Sequence, residues 1–467
     1  MGKIKFGTDG WRAIIAKEYT VANVRRVAKA TAIWMKNNGH ARAVIGYDCR
    51  FGGQMFARET TRVLASEGIF CLMDEDIATT PMVSLGVVHE KAHLGIVITA
   101  SHNPPSYNGF KLKSIHGGPM IPAQIAEVEA LIPEKSGEPA MTFEEYQDDG
   151  LIQSIDLEEI YVKHIHRHFD FDAILNSDIN LAYDSMYGAG QQVMKRLFPE
   201  ARHLHADRNP GFHGQAPEPI HRNLSELSEL LSKHKEYNLG LANDGDADRI
   251  GLYDENGVFV DSHHILLLLL YYLFEYKKET GEVIITFSVT DKMKKLAHIY
   301  GLDVEVTKIG FKYIAEIMTE RKVLVGGEES GGLAVAGHIP ERDGIWIGLI
   351  IMEFMAKTGK SLKALIEEIY EKVGAFSFDR DDLHIAEEKK WQIIEHCKTS
   401  PFKKIGNYKV LSVEDTDGYK FILDNDAWVM IRPSGTEPVL RVYAQASSPE
   451  EVRKVLDSAH QAMNAVV

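Results

Sequence analysis

LGIVITASHNPPSYNGFKL, residues 94–112, sets a short apolar run against a polar turn rich in proline. Leu94–Thr99 reads as a buried strand, because so short an apolar run bounded by turn formers suits a strand better than a helix. Pro104, Pro105 and Gly109 stop a helix from starting at once, so Ser101 falls on a loop at the carboxyl end of that strand. Open α/β sheets bind their ligands at that end. Working outward, Ala43–Tyr47, Ile179–Asp184 and Leu239–Asn243 repeat the apolar run. A Gly-rich turn and a helical stretch from about Gln54 to Glu67 follow the first of these. Strands alternating with helices imply α/β layers, with helices covering a sheet. No short-period repeat is present, which argues against solenoids and propellers.

The chain has 467 residues, enough for two to four domains at about 150 residues each. Three linkers are expected, at Pro133–Gly150, near Asp254–Gly257 and at Gly374–Asp382, giving domains at 1–145, 146–254, 255–374 and 375–467. The last is expected to be smaller and α+β. It ends in a helix that Ser448 caps, with Pro449 at its first position and Glu451 completing a capping box. Val452, Val455, Leu456, Ala459 and Met463 fall on one face of that helix. Lys plus Arg number 52 against 67 Asp plus Glu, a net charge of −15. That balance argues against a nucleic-acid or anionic-membrane surface. An anionic ligand would need local cations, a metal ion or backbone amides. Three scattered cysteines make no disulfide framework. MGKIKFGTDG lacks the apolar core of a secretory signal. The longest apolar run, Ile265–Phe274, is half the ~20 residues a bilayer requires and reads as a buried helix. A soluble, cytoplasmic protein is expected, with neither nucleic acid nor membrane as partner.

Four segments carry candidate chemistry. Ser101 offers a hydroxyl, although Ser-His-Asn turns are also common in loops without function. A serine-hydrolase reading fails for want of a G-x-S-x-G elbow. In NDGDADRIG, residues 243–251, Asp244, Asp246 and Asp248 alternate, so an extended loop would project all three carboxylates to one side. Oxygen-only ligation suits Mg²⁺ or Ca²⁺. An EF-hand is excluded because Arg249 stands where its sixth position demands glycine; a solvated acidic turn is the remaining alternative. IRPSGTEPVLRVYA, residues 431–444, joins two strands through a connection bearing Arg432, Ser434, Gly435 and Thr436. This is either a phosphate nest or a hairpin turn that contains an arginine. In VGGEESGGLAV, residues 325–335, Glu328 and Ser330 sit on a Gly-rich loop suited to sugar hydroxyls, or on a plain flexible one. Together the four are the parts needed for phosphoryl transfer on a phosphosugar.

FGTDGWR, TASHNPP, DGDADR, GEESGG and RPSGTEP, in that order over residues 6 to about 445, closely resemble the α-D-phosphohexomutase family of phosphoglucomutases and phosphomannomutases. The resemblance implies four domains around a central cleft, three related α/β domains and a C-terminal one resembling the TATA-binding protein. It implies a phosphoserine at Ser101 and one Mg²⁺ held by Asp244, Asp246 and Asp248 with a phosphoserine oxygen. His102 and Lys111 would assist proton transfer, and Arg249 would contact the reacting group. Arg12, Lys308, Glu328, Ser330, Arg432, Ser434, Gly435 and Thr436 would bind substrate. The implied reaction moves phosphate between the 1- and 6-positions of a hexose through a hexose 1,6-bisphosphate, in a monomer or homodimer. Gly332 stands where many mannose- and glucosamine-directed relatives carry histidine. That and the GFK at Gly310–Lys312 favour glucose, with some mannose activity. Phosphoglucosamine mutase or phosphomannomutase is the runner-up, and a non-catalytic phosphosugar-binding phosphoprotein is the alternative of another class.

Overall fold

Every residue of Leu94–Ile98 is buried, as a strand covered on both faces requires. The computed structural model describes residues 3–7, 9–434 and 439–466, and that strand lies in the first of two units. The first unit holds residues 1–282 and 310–365, the second residues 283–309 and 366–467. In the first, β1 (Trp11–Ile14), β2 (Arg42–Tyr47), β3 (Phe70–Met73), β4 (Leu94–Ile98), β5 (Tyr107–Lys113) and β6 (Ile152–Ser154) form one sheet. Their spatial order is β1-β5-β4-β2-β3-β6. β2 runs parallel to β3 and β4, whereas β5 returns antiparallel to β4 and sets Lys111 opposite Val97. Helices Val21–Asn37 and Gly53–Ser66 bury Val24, Val27, Phe56 and Leu64 in the core of this sheet.

A second sheet contains β7 (Leu181–Asp184), β8 (Arg202–Leu204), β9 (Leu239–Asn243), β10 (Ile250–Tyr253) and β11 (Phe259–Val260). Its order is β11-β10-β9-β7-β8. β9 and β10 are antiparallel, with Asn243 opposite Ile250, so the aspartate segment is a hairpin connection. It is not the extended loop that alternation suggested. Ala247 adopts φ 58° and its N–H donates to the Asp244 carbonyl at 3.1 Å, so the chain turns. The carboxylates converge by folding and not by strand alternation.

In the second unit β12 (Glu282–Thr286) runs parallel to β13 (Val304–Thr307). Back in the first unit, β14 (Val323–Gly327) and β15 (Leu333–Val335) form an antiparallel hairpin with Glu328 at its turn. The C-terminal part of the second unit is a six-stranded antiparallel sheet. It is built from β16 (Ser377–His384), β17 (Lys404–Ile405), β18 (Tyr408–Glu414), β19 (Tyr419–Leu423), β20 (Trp428–Pro433) and β21 (Val439–Ala446), in the order β16-β21-β20-β19-β18-β17. Helices Glu387–Thr399 and Pro449–Asn464 pack against it, giving an α+β piece.

Three local expectations are corrected. Most of the stretch Gly374–Asp382, read as linker for its charges, belongs to β16. It is an edge strand, where charged side chains are tolerated and discourage further pairing. Within Pro133–Gly150 lies a short helix, Phe143–Asp148, whose Thr142 and Glu145 form a reciprocal capping box. Ser448 does cap the last helix, and the five apolar residues on its face are buried. The Glu451 carboxylate, expected to complete a capping box, is taken instead by Tyr408 OH at 2.7 Å and Lys454 Nζ at 3.2 Å. Ile265–Phe274 is buried helix as expected up to Tyr271, after which the chain widens into a π-turn.

Candidate active site

Ser101 sits just past the carboxyl end of β4 with φ 50°, a left-handed conformation that a non-glycine residue adopts only when its surroundings enforce it. The enforcement comes from Arg50, on the loop following β2. Its guanidinium donates to the carbonyls of Ser101 and Asn103 at 2.6 Å, Pro104 at 2.9 Å and Tyr107 at 3.0 Å. Asp48 lies 3.3 Å from Arg50 Nε with both side chains fully buried, and it also accepts from Thr99 Oγ1 at 2.5 Å. Burial pushes Asp48 up to about 6 in spite of Arg50. The loop is therefore pinned through its backbone, while the Ser101 side chain reaches Asp244.

Ser101 Oγ lies 2.6 Å from Asp244 Oδ2 and 3.2 Å from His102 Nδ1. Asp244, Asp246 and Asp248 are all fully buried, and one oxygen from each comes within 4.8 Å of the others. Burial and its two acidic neighbours push Asp244 well above the usual carboxylate range. Burial acts the same way on Asp246, but Lys111 and Thr80 hold it well below. Lys111 Nζ reaches Asp246 at 2.8 Å, Asp248 at 2.9 Å and Asp9 at 2.9 Å. Arg342 Nη2 reaches Asp9 and Asp248, each at 2.6 Å, and Thr80 Oγ1 donates to Asp246 at 2.6 Å. Even so, Asp246 Oδ1 and Asp248 Oδ1 are buried with no hydrogen-bond partner among the described residues. A buried acceptor oxygen left without a partner is costly, and clustered carboxylate oxygens are the donor set of a hard divalent cation. The residues fit such an ion.

The other expected residues of the first unit cluster around this centre. Arg12 donates to Asn103 Oδ1 at 2.7 Å and to Asp9 at 3.2 Å. The backbone N–H of Arg249 donates to Asp244 Oδ1 at 3.0 Å, and Arg249 forms an isolated bridge with Gly332. Glu328 is buried in the β14–β15 turn, its N–H bonded to the Gly332 carbonyl at 3.0 Å. Burial pushes its carboxyl up to about 7, against the pull of Arg342 and Arg249. Ser330 follows in the same turn, half-buried. Burial and Arg249 hold His102 well below the ordinary imidazole value.

The residues expected to hold a phosphate fall in the second unit. Arg432 closes β20 with Nε 3.2 Å from Asp417 Oδ1. The other Asp417 oxygen accepts from the Ile309 N–H at 2.9 Å, and Lys308, the residue before Ile309, is exposed. Ser434 N–H donates to the Val439 carbonyl at 2.9 Å, and the Ser434 carbonyl accepts from Lys390 Nζ at 3.3 Å. Gly435 and Thr436 lie outside the described residues.

Asp9, Arg50, Thr80 and Arg342 escaped the sequence reading. Asp9 stands inside FGTDGWR, where Arg12 alone was singled out. Arg50 was findable in principle, because it follows the carboxyl end of β2 as Ser101 follows that of β4. Thr80 opens a helix and Arg342 lies in the loop just before one, and both reach the site only through tertiary packing.

Comparison with known proteins covers nearly the whole chain. Residues 3–138, 159–257 and 261–373 match the families described as phosphoglucomutase/phosphomannomutase alpha/beta/alpha domains I, II and III, and 386–461 match the corresponding C-terminal domain. These are three α/β domains followed by one with an antiparallel sheet. A Thermococcus kodakarensis protein named phosphoglucomutase/phosphomannomutase is 32% identical over 463 residues, covering 98% of this chain and 97% of that one. A Pyrococcus furiosus protein named as a phosphoglucosamine mutase is 29% identical, covering 98% and 97%. A crystal structure named as a phosphomannomutase, from Thermus thermophilus, superposes with TM-score 0.87 at 33% identity, covering 99% of both chains.

Proposed function

Given that the chain belongs to the phosphoglucomutase/phosphomannomutase family and is a phosphohexomutase, we propose that it interconverts glucose 1-phosphate and glucose 6-phosphate through a phosphoserine at Ser101. One observation carries this reading: the Ser101 hydroxyl lies 2.6 Å from Asp244, inside a buried carboxylate triad with two unpartnered oxygens. Asp244, Asp246 and Asp248 would hold Mg²⁺, on which the family depends. When bound, the ion supplies neutralisation of charge on the phosphoryl group in flight.

The chain's own residues do the rest. Arg50 fixes the Ser101 backbone, so the phosphoserine is presented in one position, and positioning is much of the catalytic effect in phosphoryl transfer. His102 Nδ1, 3.2 Å from Ser101 Oγ, is placed to take the proton of the attacking sugar hydroxyl and later return it. Lys111 is already shared among three carboxylates and serves as fixed positive charge. Glu328 and Ser330 accept and donate to sugar hydroxyls. Arg432, Ser434, Gly435, Thr436 and Lys308 hold the phosphate that is not reacting. The sugar bisphosphate must then turn end over end before its other phosphate returns to Ser101. A single anion-holding group serves both orientations.

Glucose preference rests on Gly332. A Cβ there would meet Arg342 Cδ at 2.6 Å and Glu328 Oε2 at 3.1 Å, so a histidine would have to displace the arginine that bridges Asp9 and Asp248. The test is kcat/KM for the 1-phosphates of glucose, mannose and glucosamine, with Mg²⁺ and a trace of the matching bisphosphate. The glucose ester is expected to lead, mannose to follow and glucosamine to trail. A lead for glucosamine would refute the preference while leaving the mutase intact. Wild-type turnover in Ser101→Ala would refute the phosphoserine.

A further inference from the structure

We propose that Lys113 and Glu341 are positioning residues that hold Arg342 in place, so that one oxygen of Asp248 stays free for the metal. Lys111 and Lys113 are two apart on β5, where alternate side chains share a face. Thr80 and Ser84 are one turn apart on helix Thr80–His89, where i and i+4 share a face. The inner row, Lys111 and Thr80, reaches the aspartate triad. The outer row, Lys113 and Ser84, reaches a single Glu341 oxygen instead, at 2.5 Å and 3.4 Å. Gly95, opposite Lys113 on β4, leaves room for the lysine stem. A Cβ there would lie 3.0 Å from Lys113 Cβ and 2.7 Å from Val87 Cγ2.

Stability does not explain this pair. Both side chains are fully buried, and an enclosed ion pair is commonly no better than apolar residues of the same volume. The second carboxylate oxygen shows a use. Glu341 Oε1 accepts the backbone N–H of Arg342 at 3.0 Å and lies 3.7 Å from its Nε. Lys113 anchors one oxygen to β5, so the other fixes the Arg342 backbone and attracts the near side of its guanidinium. Two residues on, the Gly344 N–H donates to the Ala247 carbonyl at 3.0 Å, which ties the same segment to the triad's own turn.

The placing of Arg342 matters for one oxygen in particular. Its Nη2 binds Asp248 Oδ2 at 2.6 Å, beside Lys111 Nζ at 2.9 Å, and Asp9 at 2.6 Å. With two cations on Oδ2, Asp248 Oδ1 is buried without a hydrogen-bond partner among the described residues. That oxygen is the one left for a divalent ion, and groups that orient a metal ligand tune its affinity. The inference rests on the reading of the triad as the Mg²⁺ site.

Mg²⁺ binding would be measured by calorimetry on the wild type and on Lys113→Met combined with Glu341→Met, which removes both charges at once. The paired substitution should weaken Mg²⁺ by at least about tenfold and leave KM for glucose 1-phosphate within about twofold. Should that variant not fold, Lys113→Gln alone keeps a donor to Glu341 while freeing the carboxylate to draw Arg342 off Asp248, and should weaken Mg²⁺ in the same direction. In an Arg342→Lys background the same substitutions should change Mg²⁺ affinity by less than about twofold, because their effect runs through Arg342. Wild-type Mg²⁺ affinity in either folded variant would overturn the proposal, as would an equal loss with and without Arg342. A Mg²⁺ equivalent that survives Asp246→Asn would instead overturn the triad as the metal site, and this inference with it.

Discussion

Two hairpins carry most of the ligand chemistry proposed above, and the described residues beside their connections differ in how they are held. The β9–β10 connection is closed: Asp244, Asp246 and Asp248 have no exposed surface, and Lys111, Thr80 and Arg342 hold their oxygens from three other segments. The end of β20 is less closed. Arg432 keeps 18% of its side chain exposed, and its ion pair is with Asp417. Chemistry needs charges whose positions are already determined before the reaction, in a site kept from water. Holding a phosphate that must be released and regrasped needs a planar fork that is not fully enclosed, and a half-buried arginine provides it. The first connection should therefore govern kcat and the second KM.

The largest effect should come from the closed hairpin. Asp246→Asn removes a metal-directed carboxylate and the partner of Lys111 and Thr80, and should lower kcat by about 10³-fold or more. Chelation with EDTA should do the same to wild type, with recovery on adding Mg²⁺. Activity insensitive to EDTA would break the comparison at its root. Arg432→Gln should instead raise KM by about tenfold to a hundredfold, the worth of about 1.5–3 kcal/mol for a charged hydrogen bond, with a smaller change in kcat. A variant that lost kcat and kept KM would show that the β20–β21 hairpin also acts in the transition state.

The contrast also governs what could be read from sequence. The closed hairpin drew notice because alternating aspartates follow an apolar strand, with a solvated acidic turn as the alternative, and Ser101 drew notice by following β4, where an ordinary Ser-His-Asn turn was the alternative. Their neighbours did not. Asp9, Thr80 and Arg342 lie 235, 164 and 98 positions from Asp244 (244 − 9, 244 − 80 and 342 − 244), and only packing brings them in. Strand runs such as Leu239–Asn243 were legible because burial on both faces leaves a continuous apolar stretch. β16 was not, because at a sheet edge the charges of SFDRDDLH look like those of a linker.

A middling effect belongs to pH. Burial raises Glu328 to about 7, so its carboxylate, the form that accepts from sugar hydroxyls, is lost as pH falls through 7. KM should rise by about tenfold per pH unit well below that point, and Glu328→Gln should flatten the profile at an elevated KM. A profile unchanged by that substitution would remove Glu328 from the sugar site.

The smallest effect tests whether the two regions are also mechanically separate. Helix Pro449–Asn464 packs beneath β21, the second strand of the β20–β21 hairpin, and Ser448 Oγ caps it by accepting from the Glu451 N–H at 3.3 Å. Ser448→Ala should cost about 1 kcal/mol and lower the second unit's melting temperature by about 4 °C if it unfolds as a body of ~130 residues. Since Tyr408 and Lys454 already hold the Glu451 carboxylate, that side chain does not cushion the loss. The closed hairpin depends on none of these contacts, so kcat should be unchanged at 25 °C while a separate, earlier transition appears in calorimetry. One transition shifted as a whole would mean that the β20–β21 hairpin's support and the closed hairpin's support fold as one body.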